Sequence, residues 1–557
     1  MKKKLLATLL SAIMVITALT GCGGSGDTTE SGSTTSSSEE ELSVTEDATA
    51  TESATLASII ADSDIYSADE VKTGGTLRIG TIQSPTIIGY TPEIANNSYI
   101  QYLRCAYESL LYYDIDGTLI GQLADSWETD TDANTLTFHL KEGVVFADGT
   151  DFNAEAVKFN MDLYKEVGRS ETNYIDSVDI IDDYTIQVNL TEWNSSALES
   201  IGFFICYMSP TVYDTEGADW LRINSCGTGP YTVKSFDQGV SVKYVKNENY
   251  RIEGEPYLDG IEYTIFADTT TLENAMTANE IDVITYGNDV DLAEHLLSAD
   301  GIITSKNENG LGVESTGLIP SSSDENDPFY DAKVRQAFCY AVDWDTLVTS
   351  LSYGIYTTTD QWAAPGAVTY NTDLAGYNYD PEKAKELLIE AGYPDGFETT
   401  IYTVNQGFYQ NLATAASASL AEVGIIANVE IVDAAAMGTQ MTEGWSGITW
   451  HFASIGPDLG LFMGRHLDPN GAYYAPGIRH PQDCLDLLDQ IRSAKDDETK
   501  INLEWQLQEK IYDEYALFGK TLFVNPILYM RNDYVKGGQF GLVHAATWSP
   551  STVWLDR

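Results

Sequence analysis

The side chains best suited to nucleophilic or metal chemistry are His139, His295, His451, His466, His480 and His544, with cysteines at 22, 105, 206, 226, 339 and 484. Three histidines fall between 451 and 480 without regular metal spacing, so they read as structural or surface residues. No Cys-x-x-Cys pair occurs, which leaves zinc ribbons and thioredoxin-type redox motifs unsupported. Only Cys206 and Cys226 are close enough in sequence to suggest a bridge, should the compartment oxidise thiols. Asp130-Thr131-Asp132-Ala133-Asn134 starts like a calcium loop. Thr135 stands where the sharp turn needs glycine and Lys141 where a bidentate glutamate belongs, so the stretch reads as a hairpin turn. The phosphate loop, the dinucleotide turn, the Gly-x-Ser-x-Gly elbow and the His-Glu-x-x-His helix are all missing. A glycosidase needs two carboxylates around a sugar, but among 84 acids no pair stands out. No cofactor is called for.

The 557 residues carry 84 Asp plus Glu against 30 Lys plus Arg, a net charge of −54. With no basic cluster after Lys4, a polyanion would be repelled, and nucleic acid is excluded as a partner. An apolar content of 43% is enough to bury a large core. The first residues form an export device: Met1 to Lys4 are basic, Leu5 to Leu19 are apolar, and Leu19-Thr20-Gly21-Cys22 resembles the bacterial lipobox. That resemblance implies lipidation of Cys22. The apolar run is too short for an ordinary membrane-spanning helix of ~20 residues. The following Gly, Ser, Thr and Glu-rich stretch cannot bury enough surface to fold and reads as a leash.

The folded body opens on Gly74-Gly75-Thr76-Leu77-Arg78-Ile79-Gly80, an alternating run bounded by glycines. Leu136, Phe138 and Leu140 alternate on one strand face, and Asn153 caps a helix that buries Val157 and Met161. A second helix runs from about Asp331 to Ala341 with Val334, Phe338 and Ala341 inward. A third starts at Asp380-Pro381-Glu382, buries Ala384, Leu387, Leu388 and Ala391, and stops at Gly392. Interspersed strands and helices predict a mixed α/β protein.

An ordered set of segments carries a resemblance: Tyr107-Glu108-Ser109-Leu110-Leu111, Leu123-Ala124-Asp125-Ser126-Trp127-Glu128, Phe138 through Thr150, Gly227-Thr228-Gly229-Pro230-Tyr231, Asn247-Glu248-Asn249-Tyr250, Val334-Arg335-Gln336-Ala337-Phe338, Tyr379 through Ala384 and Ala391-Gly392-Tyr393. Over most of 74–535 the chain resembles the family 5 extracellular solute-binding proteins, receptors of peptide, nickel and oligosaccharide ABC importers. The resemblance implies a two-lobed periplasmic-binding-protein-like fold of type II, with a hinge and an additional domain. The expected division is 1–22 signal peptide, 23–72 tether, 74–115 with 225–312 and 520–557 as lobe I, 116–224 as the additional domain, and 313–519 as lobe II. It also implies a non-enzymatic receptor, exported and lipid-anchored to the outer face of the bacterial cell membrane. This monomer would capture a small polar solute, peptide-like by family frequency, and deliver it to an ABC permease and ATPase. The alternatives are an oligosaccharide receptor of the same class, an exported hydrolase, and a surface sensory protein.

In the family's peptide receptors, an Asp three residues after a Trp pairs with the peptide's amino terminus. Here Trp450 is followed by Ala453, which cannot neutralise an ammonium group, and Asp458 is the nearest substitute. Trp450, Trp445, Trp362, Tyr473 and Tyr474 complete the expected ligand surface, since flat amphipathic rings stack on sugars or apolar side chains. Arg335 is expected to pair with a carboxylate rather than touch ligand.

Overall fold

The computed structural model describes residues 60–61, 69–94, 99–114, 118–287, 289–305, 313–363, 365, 367–454, 456, 458–469, 471, 473–526, 528–540 and 548–557. Cys22 and the leash lie outside the described residues. Three sheets carry the architecture.

The four-stranded antiparallel sheet is built from Ala124–Asp130, Thr135–Leu140, Thr185–Leu190 and Ile175–Asp182, in that spatial order. Leu136, Phe138, Ile186 and Val188 alternate toward a shared core because the side-chain period of a strand is two. Asp130 Oδ1 accepts the N–H groups of Asp132 and Ala133, so the acidic stretch closes a hairpin turn. Helix α1 (Ala154–Val167) covers the same core with Val157 and Met161; Asn153 caps its start and Gly168, at φ 81°, ends it.

The eight-stranded sheet has Thr76–Thr81 near its middle, parallel to both Gly260–Ile265 and Val283–Gly287. Asp282, fully buried, ties this sheet to the C-terminus. It accepts the Arg78 backbone N–H at 2.8 Å, the Arg78 guanidinium at 2.5 and 3.1 Å, the Tyr534 hydroxyl at 2.8 Å and Arg557 at 3.1 Å. The six-stranded sheet includes Val313–Pro320, Phe397–Val404, Ile425–Val432, Ile448–Ser454 and Leu522–Pro526. Helices α2 (Ala332–Tyr340) and α3 (Pro381–Glu390) pack on it, started by Asp331 and Asp380, with Val334, Phe338, Ala384 and Leu388 buried. Ala391 is only half-buried and packs on the edge of that core.

Consecutive described strands pass from one large sheet to the other twice, from Ile302–Ser305 to Val313–Pro320 and from Leu522–Pro526 to Leu528–Asn532. The second passage corrects the boundary at 519/520: Leu522–Pro526 hydrogen-bonds in the six-stranded sheet, and Leu528–Asn532 in the eight-stranded one. Arg335 is a second correction. Its buried guanidinium donates to the carbonyl oxygens of Phe329, Tyr330 and Tyr515 at 2.5 to 3.0 Å, so it closes chain ends instead of pairing with an acid. Burial pulls its pKa down to about 10. The expected Cys206–Cys226 bridge is absent. Both thiols are free, because Cys206 packs in the core of the eight-stranded sheet and Cys226 in that of the four-stranded sheet.

Two predictions follow from these contacts. Burial acts to raise the Asp282 carboxyl, but the Arg78 and Tyr534 hydrogen bonds win and hold it below the usual aspartate value. A lowered folded pKa gives stability that is present above the unfolded value and lost as pH falls through the folded one. Asp282→Asn is therefore expected to cost roughly 2–4 kcal/mol at pH 7. Urea titrations should show the gap to wild type shrinking below about pH 4; a gap independent of pH would refute the linkage. Alkylation of unreduced, denatured protein should label Cys206 and Cys226 fully, and a mass consistent with a disulfide would contradict the free-thiol assignment.

Candidate functional site

Strand Ile448–Ser454 lies in the middle of the six-stranded sheet and pairs with Val313–Pro320, setting Trp450 opposite Leu318 and Ala453 opposite Ser315. Because successive side chains point to opposite faces, Trp450 and His451 enter different cores. Trp450 is half-buried, its ring 5.0 Å from Tyr409. His451 is buried, its ring 5.7 Å from that of His466. Burial keeps both imidazoles neutral, pulling His451 down to about 4 and His466 to about 3.

After this strand the chain turns into helix α5 (Leu459–Leu467), which packs with α6 (Gln482–Ser493) and α7 (Asp497–Gln508). Asp458 serves two partners: its Oδ1 accepts the Leu461 N–H at 2.8 Å and its Oδ2 the Lys500 ammonium at 2.5 Å. Glu504 accepts the Gly460 N–H at 2.8 Å. Short helix α4 (Ala197–Gly202) joins the four-stranded sheet to the rest of its lobe and delivers Glu199 to the same place. A β-carbon on Gly456 would lie 3.8 Å from Glu199 Oε1. The Tyr113 hydroxyl bonds to Glu199, and Arg465 stacks over Phe204 at 4.9 Å.

Burial and then the Asp458 charge push the Glu199 carboxyl up to about 8, against Lys500 and the Tyr113 hydrogen bond. Burial also raises Glu504 to about 7, against Lys500. Lys500 itself stays charged: burial works against the ammonium, but Asp458 and Glu504 more than offset it.

This meeting of α4 with α5 and α7 lies across the two lobes, since 118–224 is inserted between strands of the eight-stranded lobe. Further bonds cross nearby. Trp193 Nε1 donates to Ala494 O at 2.7 Å, Ser195 Oγ to Ile491 O at 2.8 Å and Ser195 N–H to Arg492 O at 2.8 Å; Lys495 pairs with Asp132. Between the same elements lies a cavity of about 300 Å³, lined among others by Asn194, Ser196, Ser200, Gly464, Arg465 and Arg492. A space of that size, walled by two lobes, can enclose a small polar molecule.

The structure redistributes the residues expected from the sequence. Trp362 is fully buried, with Phe518, His466 and Phe462 rings 4.1 to 4.9 Å away, and Trp445 is in the same core. Neither offers a ligand surface, because large aromatics stabilise most where they lose most water. Tyr473 is exposed and Tyr474 stacks on His480 at 4.3 Å. Asp458 cannot serve as a free anchor, being committed to the α5 N-terminus and to Lys500. Sequence reading missed Glu199, Lys500 and Glu504, which lie on separate segments and carry no local motif. Among the described residues no cluster of histidine, cysteine and acids could hold a metal.

The family model for bacterial extracellular solute-binding proteins, family 5 Middle, matches residues 118–471. The chain belongs to that family. This family 5 chain is 29% identical over 457 residues to the glutathione-binding protein GsiB of Pectobacterium atrosepticum, covering 77% of this chain and 85% of the relative. It is 32% identical over 350 residues to heme-binding protein A of Haemophilus influenzae, covering 57% and 62%. Its fold matches the ABC transporter-associated periplasmic binding protein DppA of Helicobacter pylori, solved with the peptide STSA, at a TM-score of 0.71 and 22% identity over 88% and 99% of the chains. The family 5 receptor fold thus combines a mixed α/β architecture of type II with multiple sheets.

Trp362→Ala is expected to cost about 3–5 kcal/mol of stability. Thermal melts should drop sharply; a variant of normal stability would place Trp362 outside the core after all.

Proposed function

We propose that this family 5 solute-binding protein is a lipid-anchored importer receptor that encloses a peptide-class solute between its two lobes and presents it to a membrane permease. The observation that carries the reading is the interface of α4 with α5 and α7. It is polar, it crosses between lobes joined by two chain passages among the described residues, and it borders a half-open cavity. A hinged pair with such an interface can trade solvent for ligand on closing, and a ligand shifts the equilibrium by its differential affinity for the closed form. The relatives' names support small ligands that include glutathione and a peptide.

The reading includes lipidation at Cys22, export to the outer face of the bacterial membrane, action as a monomer and delivery to an ABC permease and ATPase. Of the expected rings, Trp450 is half-buried against Tyr409 and Tyr473 is exposed; the reading keeps both, with Tyr474, as ligand-facing rings, although the cavity beside α4 is lined by other residues. Ala453 offers no carboxylate, so a peptide amino terminus would have to be met by backbone or by another acid. An oligosaccharide receptor loses two of its stacking surfaces with Trp362 and Trp445 in the core.

The test uses the soluble Cys22→Ser chain, titrated calorimetrically with glutathione and with a tri- and tetrapeptide mixture. Binding should raise the melting temperature, by the equivalent of about 2.7 kcal/mol at a hundred times Kd, and shrink the radius of gyration. Absence of binding and closure with every probe would remove the peptide assignment, and conversion of a probe to product would favour the exported-hydrolase reading.

A further inference from the structure

One lysine faces three carboxylates where the lobes meet. Asp458 and Glu504 belong to the six-stranded lobe with Lys500, and Glu199 comes from the other lobe. Asp458 is already engaged by its own helix, through the Leu461 N–H, and by Lys500 at 2.5 Å. Glu504 has one N–H donor, from Gly460. Glu199 is 6% exposed, and its Oε2, like Glu504 Oε2, is buried without a hydrogen-bond partner. A buried carboxylate oxygen with no donor is costly as an anion and tolerable as an acid.

The groups around Glu199 compensate its charge only in part, Lys500 and Arg465 favouring the anion without overcoming burial and the Asp458 charge. Tyr113, on the strand packed against α4, offers one hydroxyl and is itself held protonated by burial. The neighbouring 3-10 turn contributes Arg169 and Glu171, which pair with each other at 2.9 Å. From α5, Asp458 repels a Glu199 anion and Arg465 lies over the Phe204 ring. From α7, Lys500 is already shared between Asp458 and Glu504.

Glu199 sits on α4 and Asp458 on the cap of α5, so parting the lobes would separate the two carboxylates. We propose that closing the lobes takes up one proton at Glu199, so that lowering the pH favours the closed receptor whichever solute it carries. The inference rests on the reading of the two lobes as a hinged receptor, and it adds how that hinge is regulated. The sign follows from linkage: a carboxyl whose pKa is raised on closure stabilises the closed state below its open value, and this is lost as pH rises through the closed one. The supporting shift places the window between the ordinary glutamate value and about 8. Over that window the closed-to-open ratio changes by up to about tenfold per pH unit for one proton.

The experiment needs no ligand. Fluorescence donor and acceptor are attached through Asp179→Cys and Glu498→Cys, exposed positions on the two sides, in the Cys22→Ser chain. Transfer efficiency is followed from pH 8.5 to 5.5. It should rise as the pH falls, and Glu199→Gln, a neutral stand-in for the protonated acid, should hold the high-efficiency level throughout. Glu199→Asp, which keeps a titratable group, should retain the slope, and Glu262→Gln, on the far sheet beside Lys243, should leave it unchanged. A wild-type curve that is flat, or a Glu199→Gln curve that titrates like wild type, overturns the proposal. Loss of the peptide assignment with this pH response intact would leave the proton coupling standing.

Discussion

Everything that distinguishes this protein from a rigid α/β body depends on how few covalent links join its two large sheets. Among the described residues the backbone passes between them twice, after Ser305 and after Pro526, and the other contacts across the lobes are non-covalent. Each lobe is secured internally by a buried aspartate that several segments share. Asp282 gathers Arg78, Tyr534 and Arg557; Asp327 accepts from Ser321, Ser446, Phe329 N–H and Gly447 N–H. Two stiff bodies on two short connections can rotate about them without disturbing either core.

The strength of the contacts across the lobes then decides which arrangement is populated. A neutral hydrogen bond such as Trp193 to Ala494 contributes about 1 kcal/mol, and an exposed pair such as Asp132 with Lys495 at most about the same. Burying an unpaired carboxylate costs several kcal/mol, of the same size as those gains together. Glu199 therefore carries weight out of proportion to its size. An interface with such a near balance responds to a bound solute, because a modest differential affinity is enough to tip it.

The parts legible in the sequence were those whose cause is local. Helices α2 and α3 follow from an aspartate cap and a 3.6-residue apolar period; the 130–140 hairpin follows from a turn-forming acid and strict alternation. The ordered motifs gave the family and the type of fold. What could not be read was which way an aromatic ring faces. Trp362 and Trp450 are the same residue type, yet one is enclosed by Phe518 and Phe462 and the other lies half-buried against Tyr409. Cys206 and Cys226 are near in sequence but separated by the boundary between two cores. Arg335 found carbonyls because the turn before its own helix, at Phe329 and Tyr330, and the residue after the 509–514 turn, Tyr515, present theirs to its buried guanidinium.

Glu199 was illegible for a different reason. In a chain with 84 acids the identity of a single glutamate carries no information, and only its environment does. That environment is assembled from α4 and the strand bearing Tyr113 in one region of the sequence and from α5 and α7 in another, distant one. The same strand that puts Trp450 in one core and His451 in another leads straight into Gly456 and the Asp458 cap. The half-buried ring of Trp450 and the Asp458 carboxylate that repels Glu199 are therefore carried on adjoining elements of one stretch of chain, so the position of either constrains the other.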